Sequence, residues 1–220
     1  VGAAIFVKTP GLSPVKTRLA AEIGRQSAEE FHQRACRASA QVLSAVGSGV
    51  VPYWAVAEET AVAQVTWQGF PAIWQGEGGL ADRLASIYTW LQERHGAALL
   101  LGADTPQITA CGLKRVLDLI PQRRRRFVIG PAADGGFWVF AGTRPVAKDV
   151  WAAVTYSQPH TCAQLAAALA ISGATPLYTE PLRDVDCLDD LHTLQAGLQK
   201  LAEPLPEQLA LANWITRTVR

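Results

Sequence analysis

The run Ala98-Leu-Leu-Leu101 has no polar residue on either side of its alternation. A strand that is apolar on both faces belongs inside a sheet covered from above and below, the environment of parallel strands. Similar short runs recur along the chain, at Ala3–Lys8, Val50–Val56, Ala72–Trp74, Ala97–Leu101, Phe127–Ile129, Phe137–Phe140 and Thr175–Tyr178. Helical patterns lie between them. Ser27-Ala-Glu-Glu30 has the spacing of a capping box and predicts a helix that Gly47 closes. Leu80, Leu84, Ile87, Tyr88 and Leu91 form one helical face. Further helices are predicted over Gly112–Leu119, Ala163–Ala170, Leu188–Leu201 and Glu207–Thr218. Alternating strands and helices predict a doubly wound α/β fold. No repeat or low-complexity linker divides the 220 residues, which read as a single domain.

Ligands of such sheets sit outside the carboxyl ends of the strands, so the residues just after each strand are the ones to weigh. The first strand runs into Lys8-Thr-Pro-Gly-Leu-Ser-Pro-Val-Lys-Thr-Arg18, with three cations and no acid. Ser13-Pro14 reads as an N-cap with Pro at the first helical position, and Gly24 as the stop. That puts Lys16, Thr17 and Arg18 in a first turn, where the helix dipole favours acids. An anion bound there, such as a polyphosphate, reconciles the two. The spacing matches neither a Walker A loop nor GxGxxG, because Val15 and Pro10 stand where Walker A needs glycine. Without an anion the segment is a solvated basic turn.

Asp104 follows the apolar strand in Gly102-Ala-Asp-Thr-Pro106. A carboxylate there suits Mg²⁺, which takes one or two protein carboxylates together with phosphate and water; the alternative is a helix-capping Asp. Gly130-Pro-Ala-Ala-Asp-Gly-Gly136 and Trp74-Gln-Gly-Glu-Gly-Gly79 are glycine-rich strand ends, the second followed by Asp82 and Arg83. In Asp184-Val-Asp186, alternation turns both acids the same way, as metal ligands or caps. Together these signals favour a nucleotide–metal site.

These residues together resemble the uncharacterised GT-A-fold family of nucleotide-diphospho-sugar transferases, which is distantly similar to molybdenum cofactor and phospholactate guanylyltransferases. The motifs that carry the resemblance are Phe6-Val-Lys-Thr-Pro-Gly11 with Val15-Lys-Thr-Arg-Leu19, Gln75-Gly76 with Arg83, Gly102–Pro106, Gly130–Gly136 and Asp184–Asp186. The resemblance implies a three-layer α/β/α sandwich around a mostly parallel, Rossmann-like sheet. It implies that Lys8, Lys16 and Arg18 line the nucleotide phosphates, with Gly11, Thr17, Gln75, Gly76 and Arg83 in the nucleotide-binding loops. It implies that Asp104 and Asp186 hold Mg²⁺ or Mn²⁺, and that Asp134, Gly135 and Gly136 border the acceptor or sugar. Two departures stand out: the first loop lacks the Gly-Gly-Xaa-Ser-Xaa-Arg of nucleotidyltransferases, and Gly102 replaces the first acid of a glycosyltransferase Asp-Xaa-Asp.

The expected activity is Mg²⁺-dependent transfer of a sugar from a nucleotide-sugar to a small-molecule acceptor, with Lys16 and Arg18 on the leaving phosphates and Asp134 as base. Nucleotidyl transfer from an NTP and non-catalytic nucleotide binding are the alternatives. A net charge of +1 argues against nucleic acid or anionic membrane as partner. Arg123–Arg126 reads as a solvated connection into the next strand. Cys36, Cys111, Cys162 and Cys187 have no CxxC spacing and read as free thiols of a cytoplasmic protein. No run reaches membrane-spanning length, and no signal peptide is visible. Trp138 and Trp151 read as core residues by default, with base or sugar stacking as the alternative. None of the four histidines shows ligand spacing.

Overall fold

The computed structural model describes residues 1–120 and 127–219; Arg123–Arg126 lies outside the described residues. Among them, seven strands form one sheet: β1 Gly2–Val7, β2 Val51–Val56, β3 Ala72–Trp74, β4 Ala98–Gly102, β5 Phe127–Pro131, β6 Phe137–Gly142 and β7 Leu177–Tyr178. Their order is β3-β2-β1-β4-β6-β5-β7. All run parallel except β6, which is antiparallel to both β4 and β5. The helices are α1 Thr17–Ile23, α2 Arg25–Ala45, α3 Leu80–His95, α4 Ala110–Asp118, α5 Lys148–Ala152, α6 Thr161–Ile171, α7 Leu188–Gln199 and α8 Pro206–Thr218. None of the helices is long and apolar enough to cross a membrane.

The sheet is covered on both faces, as its apolar strands require. Ala3, Ile5 and Val7 of β1 and Leu99 and Leu101 of β4 point to one side, where Val42 and Leu43 of α2 and Leu113 and Val116 of α4 close the core. Ala4 and Leu100 point to the other, against Leu84, Ile87 and Leu91 of α3 and Leu165 of α6. Trp151 of α5 is fully buried there against Phe140 and Tyr88, a core residue rather than a stacking platform. Outside α2, helices α1, α7 and α8 pack on its second face through Leu19, Phe31, Leu194 and Leu211. The result is the three-layer α/β/α sandwich.

Two helix starts differ from the sequence expectation. Ser13-Pro14 does not open α1. Ser13 and Leu12 instead donate their backbone N–H groups to the Thr9 carbonyl, closing a turn around Gly11. The helix begins at Thr17, and its N-cap, Lys16, is left-handed with φ 48° and ψ 45°. The Lys16 carbonyl accepts from the Ala20 N–H, and its ammonium has distant partners, described below. The predicted capping box at Ser27 is likewise absent, because α2 has already begun at Arg25. Gly24, with φ 84°, both ends α1 and starts α2.

The reversed strand positions the Asp134 loop. β5 and β6 form a hairpin through Ala132–Gly136, so the Asp134 turn lies on the edge where β1 and β4 end. Gly135 has φ +90°, and a Cβ there would come within 2.0 Å of the Pro159 carbonyl oxygen. Only glycine fits this turn. The Gly135 carbonyl accepts from the Cys162 N–H, tying the hairpin to the start of α6.

Candidate active site

A cavity of about 550 Å³ opens at the carboxyl edge of the sheet. The end of β1 contributes Lys8, the end of β3 contributes Gln75 and the end of β4 contributes Asp104. Lys16, Thr17 and Arg18 come from the α1 entrance, Asp134 from the hairpin, and Asp184 and Asp186 from the segment before α7. Residues from six separate stretches of the chain therefore meet on one rim.

Lys16 is the centre of this site. Its side chain is 5% exposed, and its Nζ lies 2.9 Å from Asp104 Oδ2 and 3.3 Å from Asp186 Oδ1. It also donates to the Val185 carbonyl, so all three ammonium donors have partners. Burial alone would lower the Lys16 pKa, but Asp104 and Asp186 outweigh it and raise it. Burial would likewise raise the Asp104 carboxyl. Lys16, with His32 and Lys8, reverses that and holds Asp104 below the usual carboxylate range. Arg18 reaches the other oxygen of Asp186 from the mouth of the cavity, with its side chain 74% exposed. α1 is only seven residues long, so the positive field comes from these side chains more than from its dipole.

The carboxylates form a second grouping. Asp134, Asp184 and Asp186 each offer an oxygen, and these oxygens lie within 4.8 Å of one another. Burial first, then the charges of Asp134 and Asp186, pushes Asp184 up to about 6. Carboxylates crowded in this way lower their energy by binding a cation or a proton. The Asp134 Oδ1 accepts from the Gly136 N–H at 2.8 Å, which fixes its orientation.

Gln75 lines the cavity, yet its Nε2 donates to the Val7 and Ala55 carbonyls at 3.2 and 2.8 Å. It locks β1 to β2 beneath the site. Gly11, Gly76, Arg83 and Gly135 fall outside the cavity lining. Arg83 Nε instead donates to the Gly78 carbonyl, while Gly136 lines an adjoining cleft. His32 of α2 enters the lining although no sequence spacing marked it. Burial drives its pKa down, and the neutral ring donates from Nε2 to the Lys8 carbonyl at 2.9 Å. Its only sequence signal is a histidine on the apolar face of α2, beside Phe31, Ala35 and Cys36.

Solved structures share this fold. A candidate nucleotide-diphospho-sugar transferase from Desulfovibrio desulfuricans G20 is 19% identical with TM-score 0.83, covering 99% of this chain and 97% of its own. A cytidylyltransferase from Leptospira borgpetersenii serovar Hardjo-bovis is 14% identical with TM-score 0.58, covering 98% and 93%. A CMP:2-keto-3-deoxy-manno-octonic acid synthetase complexed with CTP is 14% identical with TM-score 0.56, covering 90% and 98%. The sequence matches no curated protein. Residues 38–158 match the family described as uncharacterized protein conserved in bacteria, DUF2064. That match takes in β2 to β6, including Asp104 and the Asp134 turn, and the chain belongs to this bacterial family.

Proposed function

We propose that the protein is a metal-dependent transferase acting on a nucleoside polyphosphate, and that it moves a sugar from a nucleotide-sugar to an acceptor hydroxyl. One observation carries this reading: a buried lysine and an exposed arginine are paired with Asp104 and Asp186, beside Asp134 and Asp184, in one cavity at the sheet's carboxyl edge. A lone anion would be repelled by the acids, and a lone cation by the bases. A diphosphate with a divalent cation satisfies both walls.

The donor set is all carboxylate oxygen, which suits Mg²⁺ or Mn²⁺. Asp186, flanked by Asp104 and Asp184, would hold the ion. When bound, the ion would neutralise charge on the departing diphosphate. Arg18, exposed at the mouth, would stabilise the same charge through its N–H groups, with Lys8 and Thr17 beside it and the charge of Lys16 behind Asp104 and Asp186. Asp134, oriented by the Gly136 N–H, would take the proton of the attacking hydroxyl. The overall likeness to the Desulfovibrio protein, named for nucleotide-diphospho-sugar transfer, supports this choice.

Nucleotidyl transfer from an NTP is the second reading. It is favoured by Asp104 and Asp186 coming from separate segments on either side of Lys16, rather than from one Asp-Xaa-Asp. The products separate the two. A nucleotide-sugar converted to nucleoside diphosphate supports sugar transfer, and pyrophosphate released from an NTP supports the second reading. Thermal shift with nucleotides and nucleotide-sugars, with and without Mg²⁺, tests the shared premise. If no nucleotide raises the midpoint in either condition, both readings fall. Tight binding without turnover would leave a non-catalytic nucleotide-binding module. Asp104→Asn and Asp186→Asn should each abolish the Mg²⁺-dependent part of the shift, and Asp134→Asn should keep it. Loss in Asp134→Asn would move Asp134 into the metal set and remove it as the base.

A further inference from the structure

A second cleft of about 260 Å³ adjoins the cationic cavity along a seam formed by Phe6, Leu80, Gly102, Asp104, Asp134 and Ser157. Its chemistry is different. Leu84, Leu101, Phe137, Trp138 and Tyr156 make its walls, and among the described residues its lining contains no Lys, Arg or His. The charged residues that line it are Asp104 and Asp134, both at the seam. The polar atoms deeper in are engaged by the protein: Trp138 Nε1 donates to the Glu180 carbonyl, Tyr156 Oη to the Trp151 carbonyl, and Thr161 Oγ1 to the Thr155 carbonyl.

From this contrast we infer that the cleft is the acceptor subsite, and that the acceptor is an uncharged alcohol with an apolar or aromatic body. The inference rests on the sugar-transfer reading and names its second substrate. A phosphorylated acceptor would bring its charge against two carboxylates, while the nearest cation, Lys16, already has its three donors engaged by Asp104, Asp186 and the Val185 carbonyl, and like charges brought together disfavour a partner. An apolar body fills the walls, and its hydroxyl lies at the polar seam beside Asp134. There the hydroxyl oxygen forms the bond to the anomeric carbon of the donor. The bond from that carbon to the diphosphate oxygen breaks, its electron pair leaves with the nucleoside diphosphate, and the hydroxyl proton passes to the Asp134 carboxylate.

The test compares 2-phenylethanol with 2-phenylethyl phosphate as ligands of the full chain by ligand-observed NMR. Excess inorganic pyrophosphate and Mg²⁺ are present, so that the cationic cavity does not receive the ester's phosphate. The alcohol should bind at least about tenfold more tightly than the ester. Leu80→Arg, a change at a 44% exposed rim position, should narrow that gap by adding a cation. Phe137→Ala should weaken the alcohol by removing a wall. Equal or tighter binding of the ester, no binding of the alcohol, alcohol binding that Phe137→Ala leaves unchanged, or a gap that Leu80→Arg leaves unchanged would overturn the inference. The assay involves no donor turnover. An absent nucleotide thermal shift therefore defeats the transfer reading, whereas preference for the ester defeats only the acceptor assignment.

Discussion

The two cavities share a seam but are built by opposite means. The cationic one is assembled from loops and strand ends, and charge holds it together, with Lys16 tying residue 104 to residue 186. The apolar one is cut into the packed layer between the sheet and α3, and side-chain volume holds it together. The comparison shows a division of labour. Mutations that alter charge should act on the first cavity and leave the second standing, and mutations that alter volume should do the reverse.

Lys16→Ala should break the charged half most severely. It removes the buried cation from between Asp104 and Asp186; because Asp104 is 44% exposed and Asp186 keeps Arg18, the loss should stay below about 3–5 kcal/mol, the cost of a fully buried pair broken from one side. Urea midpoints in metal-free buffer measure this, and Mg²⁺ should raise the variant's midpoint more than that of the parent. Leu84→Ala probes the other half: a buried leucine truncated to alanine costs about 2–5 kcal/mol. Its nucleotide-induced thermal shift should nevertheless match the parent's; a lost shift would mean that the halves are not separable.

Asp184 gives a pH-dependent test of the charged half. Its folded value is pushed up to about 6 from an ordinary 3.8. Between these values the folded protein keeps a proton that the unfolded chain has released, so stability falls as pH rises through that window. Asp184→Asn should remove the loss. In metal-free buffer the variant should be more stable near neutral pH by on the order of 1 kcal/mol, after allowance for solvent screening of a half-buried group. The two proteins should be equal near pH 4. Arg18→Ala should have the smallest effect on stability, at most about 1 kcal/mol for an exposed pair, while still weakening the nucleotide's thermal shift.

The sheet was legible because its strands are short apolar runs that differ in pattern from the helices, and all seven runs became strands. The reversal of β6 was not, since apolar runs carry no direction. The five-residue α5 is too short to display a helical period. Asp184 and Asp186 were legible as a same-facing pair through strand alternation around buried Val185. That Asp134 joins them follows from the β5–β6 hairpin, which the sequence does not declare. His32 was hidden because its partner is a backbone carbonyl. The true start of α1 was hidden for another reason: a left-handed lysine stands at its N-cap with no side-chain cap, so local capping rules pointed to Ser13 instead.

The link from Lys16 to Asp186 spans 170 positions, and it sets an order of events during synthesis. At roughly 5–20 residues per second, about 10–30 s pass between the emergence of the lysine and that of its partner. Throughout that interval the first strand and its basic loop exist without the acids at 184 and 186. The basic loop is thus among the earliest parts made and among the last to be completed, and a nascent chain stays without the assembled cavity until the segment before α7 docks.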